Sequence, residues 1–216
     1  MVPEQADTTT VTAAAETDRR LAVLESALGT FSRFGYRKTS MDDVAKAAHI
    51  SRPGLYFLFD SKPALFREAV THALDRDLGL IAHKLGESDL PLSERLIAAF
   101  DRWAGSYIGP LTGEVPGVID TDPSLLGSIL DQAPRRFEEL VTAAITRTHP
   151  LDGAARTQTL ISTSIGIKHQ VTARNDYLDR LAVAVGLLLS CRQANGRTPR
   201  KRLFCEPASG RSFGPP

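Results

Sequence analysis

The sequence of 216 residues has few cysteines, few aromatic residues and no long apolar run. Its two cysteines, Cys191 and Cys205, have no second pair nearby, so we expect reduced thiols and no disulfide framework or zinc site. No apolar stretch approaches the roughly 20 residues that span a bilayer. The N-terminus also lacks the basic and apolar segments of a signal peptide. These features predict a soluble, cytoplasmic protein without a membrane partner.

The sequence motifs of catalysis are missing as well. We find no glycine-rich phosphate loop, no nucleophile motif with a plausible base and no cluster of metal ligands. We therefore expect no enzyme, no catalytic residues, no metal and no cofactor. The apolar fraction of 42% is typical of globular proteins, and a net charge of +1 excludes neither nucleic acids nor small molecules as partners.

Helical periodicity runs through most of the chain, and no alternating pattern is long enough for a sheet. The spacing predicts an all-α fold of about nine helices, the first over residues 18–34 and a long one from about residue 62 to Gly86. Four parts are expected: a disordered arm (1–17), a small helical domain (18–61), a larger helical domain (62–191) and a disordered basic tail (192–216).

Residues 39–62 predict two short helices joined by a tight turn. The first has a polar cap, Thr39 or Ser40, and an apolar stripe that includes Met41 and Val44. The second begins at Ser51 and tolerates a proline in its first turn. Such a pair forms a helix-turn-helix, whose second helix fits the major groove of DNA.

The pattern extends to both sides of this motif. The preceding run from Leu21 to Tyr36 and the following Ser61-Lys62-Pro63-Ala64-Leu65-Phe66 resemble the DNA-binding domain of the tetracycline-repressor (TetR) family. The resemblance implies a homodimeric transcriptional regulator, most simply a repressor that a small hydrophobic or amphipathic effector releases from a palindromic operator of double-stranded DNA.

Basic residues exceed acidic ones by three between Asp18 and Lys62, so the positive charge gathers where phosphates would lie. The start of the first short helix, at Thr39, Ser40 and Met41, is predicted to bind phosphate through N–H groups, with help from the hydroxyls. Arg52 is the candidate for a bidentate contact to guanine, although phosphate is an alternative partner.

Three further contacts are expected on the second short helix and one after it. Pro53 would touch a thymine methyl group, and Gly54 would let the backbone approach the bases. The resemblance implies that Tyr56 and Lys62 bind phosphates, although Tyr56 could instead only cover the domain core. Two positions depart from the family pattern: His49 stands where glycine is usual and a left-handed backbone is needed, and Leu58 stands where tyrosine or histidine often adds a phosphate contact.

The resemblance implies that the second half of the chain binds the effector and dimerises. The candidate pocket residues are apolar or aromatic: Leu74, Leu78, Phe100, Trp103, Tyr107, Phe137 and Leu140. Asp101 and Arg102 are expected to face solvent. The candidate dimer interface lies on the last two helices: Ile161, Ile165, Leu181, Val185 and Leu188. An alternative function is that of a helical adaptor that acts through partner proteins and the basic tail.

Overall fold

The structure is a computed structural model that describes residues 7–108 and 123–190. The predicted basic tail therefore lies outside the described residues. Within these ranges the chain is all-α, as predicted, and no strand is present. Eight α-helices follow one another: α1 (Asp7–Phe34), α2 (Met41–Ala47), α3 (Arg52–Leu58), α4 (Lys62–Gly86), α5 (Leu92–Trp103), α6 (Ile129–Thr146), α7 (Gly153–Lys168) and α8 (Arg174–Ser190). Short 3-10 helices lie at Gly105–Tyr107 and Pro123–Leu125.

Helix α1 begins earlier than the periodicity predicts. It starts at Asp7 rather than near Asp18, so the expectation of a loose arm is wrong for residues 7–17, while residues 1–6 lie outside the described ones. The extension carries the run Ala13-Ala14-Ala15-Glu16, whose residues have high helix propensity. Once the packed part of α1 has nucleated the helix, each added residue costs little.

The helices α1 to α3 form a small domain around a buried aromatic centre. Phe31 of α1 packs edge-on against Phe66 of α4, with ring centroids 5.2 Å apart, and Leu55 of α3 is fully buried beside them. Helix α4 then runs through both halves and packs against α1, α5 and α6. Helix α4 therefore connects the two halves of the chain.

The second half is a layer of long helices in which α8 packs against α5 and α7. Tyr177 of α8 is fully buried and forms a hydrogen bond of 2.8 Å with the hydroxyl of Ser164 on α7. Burial raises the pKa of the Tyr177 phenol, so the group stays neutral in the core. Helix α6 begins at Ile129 and continues through Pro134. None of the described helices is both long and apolar enough to cross a membrane.

Candidate nucleic-acid interface and effector cavity

The turn between α2 and α3 has the geometry of a Schellman motif. Ile50 donates its N–H to the Ala45 carbonyl at 3.0 Å, and His49 donates to the Lys46 carbonyl at 3.2 Å. His49 lies in the left-handed region with φ of 54°, as the usual glycine at this position predicted. The turn thus has the left-handed geometry that the resemblance implied, and His49 adopts it under strain.

The variant His49→Gly is expected to stabilise the protein by about 0.5–1 kcal/mol. Glycine removes a left-handed strain of about 1–2 kcal/mol, and its greater freedom in the unfolded chain returns part of that gain. Denaturant unfolding measures the change. The control Ala47→Gly, in the last position of helical α2, should instead destabilise by about 1 kcal/mol. Equal destabilisation by both variants would contradict the strain at His49.

A capping box of Ser40 and Asp43 already occupies polar groups at the start of α2. Ser40 caps the helix, and its N–H and hydroxyl both donate to Asp43 Oδ2 at 2.9 and 2.7 Å. The Ser40 hydroxyl holds the pKa of the Asp43 carboxyl below its ordinary value. Thr39 is buried and donates its hydroxyl to the Gly35 carbonyl at 2.8 Å, and Met41 is buried in the core. The predicted help from the two hydroxyls is corrected accordingly, since both bond within the protein, and the predicted phosphate contact at this helix start is left to backbone N–H groups.

Helix α3 presents one exposed face, which we call the reading face: Arg52, Pro53, Tyr56 and Phe57. The Arg52 guanidinium carbon lies 5.8 Å from the centroid of the Tyr56 ring, so a cation–π contact orients the arginine along the helix. Ser51 caps α3 by accepting from the Gly54 N–H at 3.1 Å. A Cβ atom on Gly54 would lie 3.1 Å from this Ser51 oxygen, which is a tight contact. Glycine at this position therefore favours the Ser51 cap as well as a close approach to the bases.

Phe57 is an exposed residue of the reading face that the sequence reasoning did not single out. Its side chain is 82% exposed on a helix of a small domain, where an aromatic ring would normally be buried. The signal was present in the spacing, because positions 52, 53, 56 and 57 lie on one side of a helix opposite the buried Leu55. An exposed ring at this place is suited to contact with sugar and thymine methyl groups in the groove.

Two cations, Lys62 and Arg20, hold the domain together. Lys62 donates to the carbonyls of Tyr36 and Thr39, both at 2.9 Å, and its ammonium lies 4.5 Å from the Tyr36 ring centroid. Two of its three N–H donors are thus engaged, and only the third remains for the predicted contact to phosphate. Arg20 lies over the Phe59 ring and donates to the Leu58 carbonyl at 2.7 Å, so it joins α1 to the end of α3.

A cavity of about 310 Å³ lies between α1, α4, α5 and α6. Three of the predicted pocket residues line it, Leu74, Trp103 and Tyr107. The other four do not: Leu78, Phe100 and Phe137 are buried core, and Leu140 lies with Leu78 at a separate shallow cleft. Helical spacing alone does not show which side of a buried helix lines a cavity. It therefore could not separate these four residues from the cavity lining.

The aromatic residues form a stack behind the cavity wall. The Trp103 indole lies parallel to the Phe137 ring at 4.7 Å and 7°, and Phe137 meets the edge of Phe100 at 5.0 Å. Phe137 therefore covers one indole face and fixes the orientation of Trp103 toward the cavity.

Charged side chains also line the cavity, against expectation. Arg102 donates to Asp77 Oδ1 through Nε at 3.1 Å and Nη2 at 2.7 Å, while 41% of its side-chain surface stays exposed, so it faces both the cavity and solvent. Asp101 is held instead by Arg174. Arg76 Nε lies 3.6 Å from the same Asp77 oxygen, and Arg76 Nη1 lies 3.2 Å from Glu25 of α1. A chain of ion pairs thus links α5, α4 and α1.

The last two helices leave an apolar surface uncovered, which we call the outer face: Ile165, Val183 and Leu187. Leu181 and Val185 were predicted in the interface but are fully buried in the protomer core, on the same stripe of α8 as Tyr177. Val183 and Leu187, with 63% and 65% of their surface exposed, lie on the opposite stripe. Of the other predicted interface residues, Ile165 is exposed, and Ile161 and Leu188 are half-buried at the border.

Residues 23–69, which include α2 and α3, match the family described as bacterial regulatory proteins, tetR family. The chain is 34% identical over 127 residues to the uncharacterized HTH-type transcriptional regulator YfiR of Bacillus subtilis, over 58% of this chain and 51% of the relative. It is 36% identical over 53 residues to IcaR, the negative transcriptional regulator of the biofilm operon icaADBC in Staphylococcus aureus, over 24% and 28% of the two chains. The chain thus spans about half the length, or less, of these curated relatives.

The fold of the whole described chain also has known counterparts. The crystal structure of a putative TetR-family transcriptional regulator from Mesorhizobium loti superposes with a TM-score of 0.65. It covers 80% of this chain and 96% of its own, at 15% sequence identity. This likeness concerns the fold of both halves, whereas the family match concerns the helix-turn-helix.

Proposed function

Because the chain belongs to the TetR family of bacterial transcriptional regulators, we propose that it is a homodimeric repressor of a palindromic operator. The observation that carries the proposal is the reading face, where Arg52, Tyr56 and Phe57 are exposed together on a short helix. A helix face that packs no core and offers guanidinium, phenol and phenyl groups to solvent is suited to base edges and phosphates. Such a family member is a regulator and not an enzyme.

Two features support dimerisation: the uncovered apolar outer face, and the small number of base pairs that a single α3 helix can contact. Apolar side chains at Val183 and Leu187 recur one helical turn apart and gain free energy when a second copy covers them. Small residues at Ser162 and Gly186 allow the helices of two copies to approach closely. One α3 helix reads only a few base pairs, and two related by a twofold axis read an inverted repeat.

Release by an effector is supported by where the cavity lies. Its wall includes Leu28 and Ser32 of α1 together with Leu74 of α4. A molecule in the cavity therefore contacts the DNA-binding domain and the long connecting helix at once. A small shift of α4 changes the separation of the two α3 helices in a dimer, and a palindrome is bound well only when both half-sites are met.

Footprinting of the purified protein on fragments of its own genome tests the proposal. We expect protection of a symmetric site, with a logarithm of affinity that falls steeply and linearly with the logarithm of salt concentration as phosphate contacts release counterions. Protection should be lost in the Arg52→Ala variant. An affinity that does not depend on salt, or binding that protects no site, would contradict the proposal.

A further inference from the structure

The cavity has a charged end in an otherwise apolar wall. Its apolar part includes Val70, Leu74, Leu126, Ile129 and Leu130. Its charged side chains are Asp77, Arg102 and Lys168, so cations exceed anions by one. A ligand that fills this space must bury an apolar body and meet a net positive charge.

Arg102 keeps donors for a ligand. A guanidinium has five N–H donors, and Asp77 takes two of them through a single oxygen. Among the described residues no other acceptor binds the remaining three. Lys168, the exposed last residue of α7, forms no ion pair with the described residues and lies at the opening of the same cavity. Both cations therefore keep N–H donors that a bound anion can accept from.

The acidic residue in the wall disfavours a cationic ligand. Asp77 is buried and its carboxylate already lies between Arg102 and Arg76. An ammonium group placed beside it would meet two arginines at short range, and like charges at that distance repel strongly. The phenol of Tyr107, 41% exposed at the cavity wall, adds a neutral donor; partial desolvation and the nearby Asp77 raise its pKa.

We propose that the effector is a small amphipathic carboxylate, with its head on Arg102 and Lys168 and its apolar body along Trp103 and the walls of the cavity. The proposal rests on the proposed effector-binding role and names its ligand class. A planar carboxylate matches the guanidinium fork, which binds such groups through paired hydrogen bonds. The free face of Trp103, opposite the ring of Phe137, offers a rigid apolar surface to the body of the ligand.

Trp103 is the only tryptophan of the chain, so its fluorescence reports on the cavity alone. Decanoate, 1-decanol and decylamine share one apolar chain and differ in the charge of the head. We expect decanoate to bind about 10- to 100-fold more tightly than 1-decanol, because charge-assisted hydrogen bonds form only with the anion, and decylamine to bind most weakly.

Substitutions test whether Arg102 and Lys168 cause the preference for decanoate over 1-decanol. Lys168→Gln and the double variant Arg102→Gln/Asp77→Asn should each reduce the preference for decanoate to about threefold or less, since only neutral donors remain at the altered position. The double variant leaves no buried carboxylate unpaired, and the exposed Lys168 can change without loss of the fold. Lys84→Gln is the matched control: Lys84 pairs with Glu87 at the far end of α4, and the preference should persist.

Equal binding of decanoate and 1-decanol, tighter binding of decylamine, or no fluorescence response to any probe would overturn the proposal. Binding of the genomic fragment is measured with the same protein. Loss of DNA binding with retained selectivity for decanoate would reject the repressor and keep the ligand site. Intact DNA binding without selectivity for decanoate would keep the repressor and reject the proposed ligand site.

Discussion

Replacing Arg52 with alanine is expected to lower the affinity for the operator by at least about 30-fold and to relax the base preference at one position of each half-site. A bidentate arginine contact to guanine contributes about 1–3 kcal/mol of discrimination, and a dimer contains two of them. The structure supports this role because Arg52 is exposed and its guanidinium is oriented by the Tyr56 ring, 5.8 Å away. Titration of labelled duplexes that differ at single positions measures both effects.

The controls separate base contact from general charge. Arg135→Ala removes an equally charged, exposed side chain from α6, and it should change operator affinity by less than about twofold. Tyr56→Phe keeps the ring that orients Arg52 and removes only the hydroxyl, so it should weaken all sequences by a similar, smaller factor. An Arg52→Ala variant that loses affinity equally for every base substitution contacts phosphate and not a base.

Leu187→Arg is expected to dissociate the dimer, with a rise of at least about 100-fold in the dimer dissociation constant. In a twofold interface the substitution occurs twice, and each buried leucine contributes about 1.5–3 kcal/mol. Leu187 is 65% exposed in the protomer, so the variant should keep its helical content and unfolding midpoint at concentrations where it is monomeric. Analytical ultracentrifugation measures the constant.

Operator binding should fall together with dimerisation in this variant. Linking two half-site contacts gives an avidity gain of about 10²- to 10⁴-fold, which a monomer forfeits. The control Leu80→Arg places the same charge on a half-exposed leucine of α4, away from α7 and α8, and should leave the dimer intact. A Leu187→Arg protein that still sediments as a dimer would show that the outer face is not the interface.

The sequence predicted the helix-turn-helix most reliably because local rules determine it. Capping serines, a proline in the first turn and a left-handed residue at position 49 act within a few residues of one another, and the structure has Ser40, Ser51 and His49 in these roles. The end of α4 at Gly86 was also predicted correctly.

Assignments that depend on tertiary packing were less reliable. Leu181 and Leu187 are both apolar residues of α8, and only the packing of α7 and α5 decides that the first is buried and the second exposed. In the same way, Arg102 was expected in solvent from helix spacing, which does not show its ion pair with Asp77, 25 residues away in the sequence. Helical periodicity shows how residues are spaced around one helix, but it does not show which neighbour covers each side.

Selection of binding sites from a pool of randomised DNA duplexes tests the central claim most directly, since the protein itself then chooses its operator from all sequences. If two copies of α3 read successive major grooves, the enriched duplexes will share an inverted repeat whose half-sites are centred about one helical turn, roughly 34–36 Å, apart. One dimer will bind each duplex. A pool that enriches no sequence, or a single half-site bound by a lone protomer, would contradict the account.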